Sequence, residues 1–267
     1  MRWQIGASTG CCIDRPVLEV VDALHEAGIT GVEVGTPPKH FDPWREHEVH
    51  ALRARLHQYA IRPISIHAPF GGLLDLSDPN PHHRQAAIGA ILTAAAALKT
   101  LGGRRVVVHP SDVPRDGQDV PLRLRLIGDS LQVLAAACDR MNLTLTVESP
   151  LPHLVGGDPR EFEQILRGLP LSAGVCLDTG HTSLGKHWRQ FLDLTRGRLT
   201  HIHACDHRGV FDDHLAPGEG ILDWASIGRD LLEARFDGWI MLELRCPAGS
   251  IAAYFAQAAT RLRALLP

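Results

Sequence analysis

The chain is poor in lysine and in aromatic residues. Its 267 residues hold three lysines and 5% aromatics, and 27 Lys and Arg against 30 Asp and Glu give a net charge of −3 with His neutral. No block of Lys or Arg occurs, so the bulk charge advertises neither nucleic acid nor an anionic membrane. Long apolar runs are missing too. The longest, AAIGAILTAAAAL at 86–98, is too short to span a bilayer. The opening MRWQIGASTGCC has no apolar run of signal-peptide length. Cysteines stand at 11, 12, 138, 176, 205 and 246, and none forms a CxxC pair. Free thiols and a cytoplasmic location are therefore expected.

What is present is ordinary globular composition, 45% hydrophobic and 21% charged, in a chain long enough to bury a large core. Short β-rich runs alternate with helical patterns. The strand candidates are WQIGAS (3–8), GVEVG (31–35), PISIHA (63–68), RVVVHP (105–110), LTLTVES (143–149), GVCLDT (174–179), THIHAC (200–205) and WIMLEL (239–244). Residues 16–27, 82–101, 122–140, 223–235 and 250–266 read as helices from apolar spacing and helix-forming composition. Strands separated by helices imply parallel pairing through crossovers. Eight such units in this length predict an α/β fold, a (β/α)8 TIM barrel, as one domain over residues 1–267. The competing open doubly wound sheet calls for a GxGxxG turn after an early strand, and none is found.

The C-terminal ends of the strand candidates carry chemistry. Strand three ends in His67, strand four in His109, strand five in Glu148, strand six in Asp178, strand seven in His203 and strand eight in Glu243. His181 follows strand six, and the loop DDHLAPGEG (212–220) after strand seven adds Asp212 and His214. Barrel active sites are built at that end. Alternation places Ser65, Thr146, Cys176 and His201 on the same face as these residues. The opposite face, with Ile64 and Ile66, Val106 and Val108, Leu145 and Val147, Val175 and Leu177, suits packing against helices. Each residue alone has an ordinary reading: a hydrogen-bonded structural His, a Glu paired with Arg, an Asp capping a helix, a polar surface loop. Together they would need the same coincidence at six consecutive strands. His nitrogen and carboxylate oxygen suit Zn²⁺ or Mn²⁺, and an oxygen-rich subset also accepts Mg²⁺ or Co²⁺.

The runs SIHAPF, VVVHP, TVESP, CLDTGH, HIHACD, DDHLAPGEG and LEL resemble the xylose isomerase-like TIM-barrel superfamily, which includes sugar phosphate isomerases and epimerases and the class II AP endonucleases. The resemblance runs from about residue 5 to 245. In the isomerase and epimerase branch it implies one divalent metal held by Glu148, Asp178, His203 and Glu243. In the endonuclease IV branch it implies up to three zinc ions held by those four with His67, His109, His181, Asp212 and His214. The first strand and the ESPLPHLVGG loop depart from the nuclease pattern, and HAPFGGLLDLSDP is closer to the sugar phosphate isomerase-like group. Asp-Asp-His replaces the Arg that many ketose epimerases carry before the PGEG turn.

The expected function is a metal-dependent sugar or sugar phosphate isomerase or epimerase working through an enediolate. Glu148 and Glu243 would carry the proton and His181 would polarise an oxygen. Arg245 is expected either to bind the substrate's anionic or hydroxylated end or to balance barrel carboxylates. Glu33 is expected either to contact substrate or to make a structural hydrogen bond. The alternatives are a zinc-dependent AP endonuclease or phosphodiesterase, and a lyase or hydrolase on an oxidised sugar. A small sugar-like substrate is the expected partner; membrane and DNA are not expected, and oligomeric state is open. Cys11, Cys12, Trp44 and Phe70 are candidates to line the pocket, and His25, His47, His50, His57, His82, His83 and His187 are expected on solvated faces.

Overall fold

The computed structural model describes residues 3–245 and 248–267, with the side chain of Cys11 outside the description. Strands and helices alternate as β1 (Gln4–Ser8), α1 (Val17–Glu26), β2 (Gly31–Gly35), α2 (Glu46–Gln58), β3 (Arg62–His67), α3 (Pro81–Leu101), β4 (Arg105–Val108) and α4 (Val120–Arg140). The second half continues with β5 (Thr144–Glu148), α5 (Pro159–Arg167), β6 (Gly174–Asp178), α6 (Thr179–Leu184), α7 (Trp188–Leu194), β7 (Leu199–Ala204), α8 (Trp224–Glu233), β8 (Trp239–Leu242) and α9 (Ile251–Leu265). The strands pair in chain order, all parallel, and β1 closes on β8. The expected (β/α)8 barrel is the observed fold.

Local chemistry explains the helix starts. Asn80, Asp119 and Asp158 accept hydrogen bonds from backbone N–H groups in the first turns of α3, α4 and α5. A proline sits in each of those first turns, where no N–H is needed. Helix α3 ends on Gly102 at φ 91°, the left-handed position glycine takes without strain. The five helices expected from periodicity are found within two residues of their predicted ends. Helices α2, α5, α6 and α7 are additions. Helix α2 is largely polar, while α6 and α7 have only 6 and 7 residues, too few for periodicity to register.

The core lies between barrel and helices. Val106, Val108, Leu145, Val147, Val175 and Leu177 meet Leu98, Ile127, Leu131 and Phe162 there. The barrel interior holds polar side chains instead, among them Ser65, Thr146, Cys176 and His201, each fully buried. One residue departs from the expected alternation. The β2–β3 register shifts where Val32 faces Pro63 and Glu33 faces Ser65, so Ile64 is an extra residue. It packs with Trp239 and Met241, on the face that leads to Glu243, rather than beside Ile66.

The thiol expectation needs correction. Cys138, Cys176 and Cys205 are free, but Cys12 is disulfide-bonded. Spacing in sequence constrains CxxC chemistry and says little about which sulfurs meet in space. Among the described residues no helix is long and apolar enough to cross a membrane.

Candidate metal centre

The barrel brings all nine predicted ligands to one mouth. His67, Glu148 and Asp178 are the last residues of β3, β5 and β6, and His203 is the last but one of β7. His109 and Glu243 stand one residue beyond β4 and β8. Asp178 also caps α6: its Oδ1 accepts the His181 N–H at 2.7 Å, which fixes the turn that returns His181 to the site.

Asp212 and His214 arrive on the loop after β7, and Asp206 holds that loop. Its buried carboxylate accepts from the backbone N–H groups of His207 (2.9 Å), Gly218 (3.0 Å) and Leu222 (3.2 Å) and from Trp224 Nε1 (3.0 Å). Backbone bonds in both directions join Asp206 to Leu215. The Arg245 N–H donates to the His214 carbonyl at 2.8 Å, tying the loop to the end of β8.

The ligand atoms fall into three groups at the mouth, each within 4.8 Å: His67–His109–Glu148, Glu148–Asp178–His203–Glu243, and His181–Asp212–His214. Glu148 is shared. Its carboxylate lies 3.1 Å from His67 Nε2, 3.2 Å from His109 Nε2 and 3.1 Å from His203 Nδ1. Asp212 Oδ2 lies 3.2 Å from His181 Nε2 and 2.9 Å from His214 Nε2.

The imidazoles are pre-set. Nδ1–H of His67 donates to the Ala68 carbonyl (3.2 Å), that of His181 to Ser149 (2.9 Å) and that of His214 to Glu243 (2.9 Å). A carbonyl only accepts, so each bond fixes the proton on Nδ1 and leaves Nε2 facing the group. Tying down the far nitrogen is how metal-binding histidines are oriented. Among the described residues Asp212 Oδ1 is buried without a hydrogen-bond partner, which leaves an oxygen lone pair open inside the third group. Nitrogen and carboxylate donors so arranged fit a divalent metal.

Charge is concentrated here. Burial works against ionisation of Glu148, yet His203 and His109 hold its carboxyl well below the usual range. Glu243 is lowered by His203 in the same way, against burial. Burial raises Asp178 to about 6. Burial lowers His67 and His181, but Glu148 brings the first up to about 9 and Asp178 with Asp212 bring the second to about 10. Cys205, which alternation did not flag, places Sγ 3.5 Å from Asp178 Oδ2, and burial pushes its thiol up.

Above the groups opens a cavity of about 760 Å³. Glu148, Glu243, His181, Asp212 and His214 form its floor. Trp44, Phe70 and Arg245 line it as expected candidates, and Ile13, Leu74 and Leu151 add an apolar wall that strand-end reasoning does not reach. Phe70 stacks on His109 with ring centroids 4.0 Å apart. Cys12 is buried and does not line the cavity, and the Cys11 side chain lies outside the described residues. Glu33 lies below the floor, fully buried between Ser65, His201 and His203. His201 shares the face of the ligands, which was its signal in the sequence.

Comparison with known proteins follows the fold. The family described as xylose isomerase-like TIM barrel matches residues 21–265. An uncharacterised protein of Methanocaldococcus jannaschii is 26% identical over 188 residues, 67% of this chain and 64% of that protein. The chain thus spans just under two thirds of that relative's length. A putative hydroxypyruvate isomerase of Streptomyces coelicolor is 26% identical over 256 residues, 87% of this chain and 86% of that protein. The crystal structure of a D-tagatose 3-epimerase-like protein superposes with a TM-score of 0.86 at 20% identity, covering 98% of both chains, which shows a shared fold.

Proposed function

The chain belongs to the xylose isomerase-like TIM-barrel family, and on that premise we propose that it is a divalent-metal-dependent isomerase or epimerase of a small polyhydroxy carbonyl compound. The observation that carries the proposal is the floor of the cavity, where two ionised carboxylates, Glu148 and Glu243, stand among imidazoles oriented as ligands. The names of the isomerase and epimerase relatives agree with it.

Glu148, Asp178, His203 and Glu243 would hold the principal ion, Zn²⁺ or Mn²⁺ by donor type. When bound, such an ion supplies Lewis-acid stabilisation of negative charge developing on a carbonyl oxygen. The chain's own residues do the rest. Glu148, the last residue of β5, and Glu243, one residue beyond β8, would carry the proton: one carboxylate takes it from the carbon beside the carbonyl, and the other, once protonated by its partner or by solvent, returns a proton to the substrate. Glu243 is the more accessible, its side chain 15% exposed against 1% for Glu148. When no metal occupies its group, His181 is held protonated by Asp178 and Asp212, so its Nε2–H can donate to a substrate oxygen, and Arg245 at the rim takes the distal hydroxyl or anionic end.

The test is turnover of ketoses, hydroxypyruvate-like acids and sugar phosphates in D₂O with Zn²⁺, Mn²⁺ or Co²⁺. Solvent deuterium entering product or recovered substrate is the expected result. Turnover with no deuterium incorporation counts against the proton-transfer route.

One observation favours a second reading. His181, Asp212 and His214 form a donor group separate from the principal four, as a multi-zinc phosphodiesterase on abasic DNA would require. Against it, among the described residues Arg245 is the one Lys or Arg lining the cavity, and affinity for DNA rests mainly on cationic phosphate contacts. Nicking of an abasic duplex that EDTA abolishes would establish this second reading.

A further inference from the structure

His203 is held the opposite way round from its neighbours. His67, His181 and His214 turn Nε2 toward the site and tie Nδ1 to a backbone carbonyl. His203 turns Nδ1 toward the site, 3.1 Å from Glu148 Oε1 and 3.0 Å from Glu243 Oε2. Its far nitrogen meets a carboxylate rather than a carbonyl: Nε2 is 2.9 Å from Glu33 Oε1. Among the described residues neither His203 Nε2 nor Glu33 Oε1 makes a hydrogen bond of good geometry, so the contact between them is a close electrostatic one. Glu33 is itself braced. Its Oε2 accepts from Ser65 Oγ at 2.8 Å and lies 3.1 Å from His201 Nε2, which leaves Oε1 for His203. All four residues are fully buried inside the barrel, and Glu33 does not line the cavity.

We infer that Glu33 is a positioning residue: from beneath the floor its carboxylate keeps the His203 proton on Nε2, so that Nδ1 presents its lone pair to a metal held with Glu148, Asp178 and Glu243. A charged acceptor on the far nitrogen orients the ring and makes the near nitrogen a stronger donor. The carboxylate reaches His203 because the β2–β3 register sets Glu33 beside Ser65, which braces it. The inference rests on the metal reading of the four ligands. It assigns Glu33 no contact with substrate.

The test is Co²⁺ titration of the full chain as wild type, Glu33→Gln and Ser65→Ala, followed by absorption and calorimetry, with long-range ¹H–¹⁵N spectra reporting the His203 tautomer. Glu33→Gln should weaken one bound equivalent by about 10–100-fold. The equivalents held by His67–His109 and by His181–Asp212–His214 should be unchanged, and in the metal-free variant the His203 proton should shift from Nε2 toward Nδ1, which faces Glu148 and Glu243. Ser65→Ala keeps the carboxylate and loosens its brace, so the same equivalent should weaken by less; it carries the test if Glu33→Gln does not fold. Unchanged binding in both variants, or equal weakening of every equivalent, overturns the inference and leaves the metal reading standing. A wild-type chain that binds no Co²⁺ overturns the metal reading itself, and the inference with it.

Discussion

Asp206→Ala should disable the loop that carries Asp212 and His214 without touching a ligand. The variant removes the acceptor for four donors, the N–H groups of His207, Gly218 and Leu222 and Trp224 Nε1. Gly218 and Leu222 lie toward the surface, and water can replace the carboxylate there. His207 and Trp224 are 2% and 3% exposed, and their N–H groups stay dry. Two buried bonds to a charged acceptor, each contributing roughly 1.5–3 kcal/mol, give a loss of about 3–6 kcal/mol. In a chain of this size that lowers Tm by roughly 10 °C. Asp206→Asn keeps one acceptor oxygen and should fall between. Gly220→Ala should resemble Asp206→Ala, because its Cβ would lie 2.2 Å from Asp206 Oδ1 and 2.3 Å from the His207 carbonyl. Thermal melts by circular dichroism give Tm, and metal titration gives the occupancy of the His181–Asp212–His214 group, which should drop. A Tm for Asp206→Ala within about 2 °C of wild type, with full metal occupancy, would refute the reasoning.

Other outcomes follow from the same geometry. Asp212→Asn removes a ligand of the third group only, so metal analysis should show one equivalent lost and the others kept; loss of all metal would contradict the partition into groups. His67 and His181, raised to about 9 and about 10, are protonated at neutral pH in the metal-free protein, whereas a metal takes neutral imidazole. Metal binding should therefore release protons and tighten as pH rises toward 9, and calorimetric heats that do not vary between buffers of different ionisation enthalpy would disprove this. The sign for stability is the reverse: a His whose pKa is raised above 6.5 stabilises fully below that pH and loses the contribution as pH passes 9. The metal-free protein should thus melt lower at pH 9 than at pH 6.5. Arg245→Ala should raise KM with kcat largely kept, and a fall in kcat at constant KM would move Arg245 into the chemistry. Phe162→Ala, fully buried against Phe191, should cost about 3–5 kcal/mol in denaturant unfolding and leave metal stoichiometry unchanged.

Most of the barrel was legible because its signals are local. Strand ends at His67, Glu148 and Asp178 sit where apolar runs stop, and alternation along β5, β6 and β7 sets polar and apolar residues on opposite faces. The Ile64 bulge was not legible: one extra residue in β3 leaves no mark on composition, and only pairing with β2 reveals it. The direction of each imidazole was equally hidden. It depends on carbonyls of Ala68, Ser149 and Glu243 and on the Glu33 carboxylate, several of them far away in sequence. The placement of Glu33 beneath the floor follows from barrel depth, which a strand pattern does not encode. The disulfide at Cys12 was missed for a related reason, since spacing rules see neighbours in sequence only.

The most direct test of the account is the metal content of the purified, untagged chain by plasma mass spectrometry, repeated after EDTA treatment and reconstitution with Zn²⁺ or Mn²⁺. The account predicts stoichiometric binding of at least one divalent ion per chain, lost with EDTA and restored on reconstitution, with more than one equivalent when the group containing Asp212 and His214 is filled. A chain that emerges without metal and binds none when it is added would contradict the central claim.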